Sequence, residues 1–147
     1  MGWYCGDLNE RAYQYHVDTA TGKLTSYPNN PIPAPSETGF DIQGEYAVGV
    51  VTSTPPAGNP DTVAVYRIDI STGLTETNNY TIPPFKGMNQ EYSKAATFDA
   101  AGKFIFGATD NYLAAFQFDR TNGKMKAIPG YPQPRDNAFQ PSFVVAQ

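Results

Sequence analysis

Tyr15-His16-Val17-Asp18-Thr19-Ala20-Thr21-Gly22, Tyr66-Arg67-Ile68-Asp69-Ile70-Ser71-Thr72-Gly73 and Phe116-Gln117-Phe118-Asp119-Arg120-Thr121-Asn122-Gly123 share one pattern: aromatic, polar, apolar, Asp, three residues, Gly. The three glycines stand 51 and 50 residues apart, which marks an internal repeat. Each copy reads as the end of a strand and a short turn. The Asp can bond to the turn backbone, and the Gly is free to take positive φ before the next strand begins.

Upstream of each turn the likeness continues. Trp3-Tyr4-Cys5-Gly6, Tyr46-Ala47-Val48-Gly49 and Phe104-Ile105-Phe106-Gly107 align as a further strand with an apolar face at period two. These positions, Phe104 and Cys5 among them, are expected in the core. Asp41-Ile42-Gln43-Gly44 and Asp99-Ala100-Ala101-Gly102 are expected as hairpin tips after strands ending at Phe40 and Phe98. A four-stranded antiparallel sheet recurring at this interval is a propeller blade. The fold class is therefore read as all-β, a β-propeller with three four-stranded antiparallel blades per chain.

The two ends of the chain extend the alignment. Met1 falls opposite Gly102, and Pro141-Ser142-Phe143-Val144-Val145-Ala146-Gln147 falls opposite Pro35-Ser36-Glu37-Thr38-Gly39-Phe40-Asp41. The C-terminus then supplies an innermost strand, and the N-terminus the other three strands of a split blade. Within a single domain, 1–147, the repeats run over about 1–34 with 139–147, 35–87 and 88–138. Propellers typically have about four to eight blades, so three leave a ring open and a strand edge bare. In a twofold homodimer, Phe143 to Ala146 of each chain would pair beside Trp3 to Leu8 of the other, giving a six-bladed ring. A larger ring, or a fragment of a longer propeller, satisfies the same count.

Composition agrees with this reading. Thirteen Gly, 13 Pro and 14% aromatic residues, with only 16% charged, suit short strands and tight turns and nearly exclude a helix bundle. Ten Lys and Arg against 14 Asp and Glu give a formal charge of −4 with no basic run, so no nucleic-acid partner is expected. Cys5 is the one cysteine, so no internal disulfide forms, and no Cys/His cluster suggests zinc. No stretch approaches the ~18 to 20 apolar residues of a membrane span, and the N-terminus lacks the basic and apolar regions of a signal peptide. A soluble chain with no membrane partner and no cofactor is expected. The sequon Asn79-Tyr80-Thr81 matters only in a secreted protein.

Lys94-Ala95-Ala96-Thr97-Phe98-Asp99-Ala100-Ala101-Gly102-Lys103-Phe104-Ile105-Phe106-Gly107-Ala108, with Leu113 to Met125 and Ile128-Pro129-Gly130, resembles a blade of the lactonase-type seven-bladed β-propellers. That family includes 6-phosphogluconolactonase and the carboxymuconate cyclases. The resemblance implies a ligand site in an axial channel near the inner strands, with His, Arg and Glu around it in active members. Here the usual Pro-His step reads Ser93-Lys94, Pro35-Ser36 and Pro141-Ser142. The histidine positions of the family pattern are thus filled by other residues.

The candidate ligand-binding residues are Ser36, Glu37, Glu91, Lys94, Arg135 and Ser142, at or before the expected inner strands or in the Pro-rich approach to the split blade. Lys94 could meet a carboxylate or phosphate, Arg135 could clamp an anion, and Glu37 or Glu91 could act as a base if burial raised its pKa. Solvated ion pairs are the plainer reading. His16, the one histidine, aligns with Arg67 and Gln117 on a polar strand face and is read as structural or solvated. Cys5 is read as a small buried hydrophobe. Recurrent aromatics expected on core faces weigh against a lectin-like surface, and a Pro-rich insertion around Ser53 to Asp61 is read as a loop that covers one face, meets a partner or is inert. The expected function is a self-assembling, non-catalytic scaffold that binds a small anionic or sugar-like ligand, or a protein, at the channel mouth. The alternative is a lactone hydrolase or lactone-forming cyclase.

Overall fold

The computed structural model describes residues 11–33, 40–51, 61–82, 95–109 and 112–134. These residues form thirteen strands and no helix: β1 (Arg11–Ala12), β2 (Tyr15–Val17), β3 (Leu24–Ser26), β4 (Ile32–Pro33), β5 (Asp41–Gln43), β6 (Tyr46–Val51), β7 (Thr62–Asp69), β8 (Gly73–Thr81), β9 (Ala95–Phe98), β10 (Phe104–Ala108), β11 (Tyr112–Asp119), β12 (Lys124–Ala127) and β13 (Gln133–Pro134). Four antiparallel sheets result. The second repeat forms β5-β6-β7-β8 and the third β9-β10-β11-β12, with β13 added to β11. The first contributes the hairpin β2-β3 and the pair β1-β4.

The repeat holds at the level of individual pairs. In the second sheet Tyr46 pairs with Arg67, Val48 with Val65 and Val50 with Val63. In the third, Phe104 pairs with Gln117, Phe106 with Ala115 and Ala108 with Leu113, so the alignment is reproduced without a slip. Likewise Arg11 opposite Pro33 and Ala12 opposite Ile32 are matched 101 residues later by Tyr112 opposite Pro134 and Leu113 opposite Gln133.

The Asp-to-Gly turns fold as their sequence dictates. Each Asp accepts the backbone N–H two residues on: Ala20 to Asp18 at 2.9 Å, Ser71 to Asp69 at 2.7 Å and Thr121 to Asp119 at 2.9 Å. Gly22, Gly73 and Gly123 then take φ of 72°, 96° and 70°, where a side chain would be strained.

Two expectations are corrected. Asp41-Ile42-Gln43 is a strand rather than a hairpin tip: Gln43 pairs with Tyr46, and the turn is Gly44-Glu45 with Gly44 at φ 62°. The Asp41 carboxylate is occupied across the sheets, accepting the Thr97 hydroxyl at 2.7 Å and the Phe98 N–H at 2.8 Å, which extends β5 through Asp41 beside β9. Phe104 is exposed rather than in the core, while Tyr46, its counterpart, is buried. The reason is its face: β10 alternates, and Ile105, not Phe104, turns toward the second sheet.

The second and third sheets pack face to face. Tyr46, Val48, Val50, Val63 and Val65 of one meet Phe98, Ile105, Ala114, Phe116 and Phe118 of the other. Gly107 admits this contact, since a Cβ there would lie 2.8 Å from Val63 Cγ2. Tyr46 meets Phe118 edge-on at 5.2 Å between ring centroids, and Tyr80 meets Phe116 at 5.1 Å. The opposite face of the second sheet buries Ala47, Ala64 and Tyr66, with Phe40 edge-on to Tyr66 at 5.6 Å. Trp3 to Leu8 with Cys5, residues 141–147 and all of the Ser53 to Asp61 insertion except Asp61 lie outside the described residues.

Candidate functional site

Ser36, Glu37, Glu91, Lys94, Arg135 and Ser142 all lie outside the described residues. Two sets of polar groups stand out among the described residues: carboxylates committed to turns, and lysines on one face of the third sheet.

The turn carboxylates are held ionised. At Asp69 the Ser71 hydroxyl and then the Ser71 and Thr72 backbone N–H groups push the pKa down to about 2. The Thr21 hydroxyl leads the same effect at Asp18, and the Thr121 hydroxyl at Asp119. At Asp99 burial opposes ionisation, but N–H bonds from Phe104 and Lys103, at 2.7 and 2.6 Å, outweigh it and leave the pKa lowered. A carboxylate stabilised in this way is a weak base, poorly suited to proton abstraction near neutrality. His16 is exposed on β2, opposite Thr25, as expected from its alignment with Arg67 and Gln117. Arg67 is exposed as well and pairs with Glu45 at 2.9 Å, which raises its pKa.

The lysines line a shallow groove of about 530 Å³ on the third sheet. Phe104, Gln117 and Lys126 stand in one cross-strand row over β10, β11 and β12, and Asp119 with Lys124 forms the next. Lys103 completes the rim. Lys124 Nζ donates to Thr77 O at 2.8 Å, and Asp119 is turned inward to Thr121 and Asn122. The groove carries three lysines against Asp119 and is therefore positive, with Phe104 in its lining. It can hold a small anion by charge and stack an apolar ring or sugar face on Phe104. Among the described residues no group of three or more His, Cys, Asp or Glu is placed to hold a metal ion, and no helix is long and apolar enough to cross a membrane.

Sequence reasoning passed over this groove. Its signal was present in Gly123-Lys124-Met125-Lys126, where alternation puts both lysines on one face and Met125 on the other. Placing Phe104 in the core hid the connection.

No family model matches the chain, and none of the curated proteins compared with it does. Among solved structures the chain is similar to a protein from Lactobacillus plantarum, with 14% sequence identity and a TM-score of 0.44. The match covers 85% of this chain and 38% of that one, so the chain spans well under half of that protein's length.

Proposed function

We propose that the chain is a non-catalytic β-propeller scaffold that assembles from repeated blades and binds a small anionic or sugar-like ligand. The observation that carries this reading is the pair of four-stranded meanders, one repeat apart, with one face of the second packed on the opposite face of the third. Successive sheets stacked by a constant sequence offset are the building principle of a propeller. The lysine-rimmed groove supports an anionic ligand, and carboxylates locked below their ordinary pKa favour binding over proton transfer.

The test is a thermal-shift panel of sugar acids, sugar phosphates and neutral sugar lactones, with lactone turnover followed in parallel. A raised melting temperature with the anionic members and no turnover is the expected result. Turnover that is lost in Lys94→Ala or Glu37→Ala would replace this reading with the lactonase-type alternative. No shift with any anionic member would remove the ligand half of the proposal.

A further inference from the structure

The joint between the second and third sheets recurs as two halves that the chain leaves open. On the second sheet Tyr46 is 3% exposed and Val63 0%, both pressed against the third sheet. Their counterparts one repeat on, Phe104 and Leu113, are 36% and 37% exposed. They share one face of the third sheet, the face turned away from the second.

The receiving half of the joint recurs too. On the third sheet it is Phe118, which holds the Tyr46 ring, paired across strands with Met125. One hundred and one residues earlier the same cross-strand pair is Val17 with Leu24, and Leu24 is 55% exposed. The turn glycines repeat the contrast. A Cβ on Gly123 would meet Tyr46 Cε1 at 2.7 Å, whereas a Cβ on Gly22 would meet nothing within 4 Å.

We infer that the Phe104–Leu113 face of one chain docks on the Val17–Leu24 hairpin of a second copy, reproducing the joint between the second and third sheets. The joint itself identifies the occupant. One chain carries both halves at the sequence offsets that relate the sheets, and Lys23 stands where Lys124, at the exposed margin of the joint, donates to Thr77 O. Apolar side chains are exposed on both halves, so docking removes them from water. The halves are different surfaces, so the contact is heterologous, and closure follows only when every copy supplies both. The inference deepens the assembly part of the proposed function and bears on its ligand, because Phe104 also lines the lysine groove, which docking brings to the joint between copies.

The test is solution mass by light scattering behind a sizing column, for the full chain, for Phe104→Asp, for Leu24→Asp and for an equal mixture of the two variants. The full chain is expected at twice its own mass of 16.0 kDa, and each variant at the mass of a single chain with an unchanged far-UV spectrum. The mixture is expected to recover the doubled mass in part, through one joint between the intact Phe104 face of one variant and the intact hairpin of the other, while its second joint carries both aspartates. A misfolded variant cannot give that rescue. Leu113→Asp and Val17→Asp replace either variant whose spectrum changes. A full chain that stays monomeric or folded variants that stay dimeric overturn the inference; the first would leave these faces to another protein or to a further segment of a longer chain. Thermal shift on Leu24→Asp, whose groove residues are all intact, reads ligand binding apart from assembly, so the two proposals fail distinguishably.

Discussion

The second and third sheets are built from one plan, yet they treat the same positions oppositely. Tyr46 is sealed against Phe118, while Phe104 stands half in water. The register of β6 on β7 matches that of β10 on β11, the strands that carry the two residues, so their pairing does not explain the difference. What differs is the neighbour. Within a repeat, side-chain alternation decides which face a residue occupies. Whether that face is dry depends on the next sheet.

The comparison breaks most sharply at the aromatic pair. Tyr46→Ala is expected to cost about 3–5 kcal/mol in urea unfolding, as for a buried aromatic, against about 1 kcal/mol or less for Phe104→Ala in dilute solution. Equal losses would mean that Phe104 is buried in solution. The turn glycines give the next largest contrast. Gly22→Ala meets only the left-handed backbone penalty, about 1–2 kcal/mol, because its surroundings are open. Gly123→Ala adds a clash with Tyr46 and Thr77, so a further loss of about 1–3 kcal/mol is expected.

Gln14 sharpens the comparison from the opposite direction. It aligns with Val65 and Ala115, both buried, and is itself fully buried with neither side-chain amide atom hydrogen-bonded. Replacing it with a similar-sized apolar residue, Gln14→Leu, is expected to raise stability by about 1–3 kcal/mol by removing an unsatisfied polar group. A lower unfolding midpoint in this variant would show that the amide finds a partner in solution.

The smallest effect is in acid. A carboxylate whose folded pKa lies below its unfolded value stabilises the fold at pH above ~3.9, and the stabilisation fades as pH falls through the folded pKa. For Asp69 that window runs from about pH 4 down to about 2. The melting temperature should fall across it, and Asp69→Asn should flatten the fall. An unchanged slope would remove Asp69 from the acid response.

Much of the strand pattern was legible because turns announce themselves locally. The Asp and Gly of each repeat specify a turn without reference to anything distant, and all three turns form where the pattern places them. The β5–β6 hairpin is misread from sequence because Asp41 resembles a turn aspartate, while its Oδ2 accepts from Thr97 and Phe98, 56 and 57 residues away. The exposure of Phe104 was illegible for the same reason, since it depends on a surface beyond its own sheet. The lysine groove was readable in part, through the alternation of Lys124 and Lys126. Its assembly with Lys103 and Phe104 needed the pairing of three strands.

The self-sufficient turns bear on how such a chain can change over time. The side chains of Asp18, Asp69 and Asp119 each make turn hydrogen bonds within three residues, so copying or deleting a whole repeat carries these bonds with it. Repeat number is then free to drift at the level of the hairpins. Selection on copy number would act instead on the flat faces between sheets, where one added or lost unit changes which aromatic side chains are left wet.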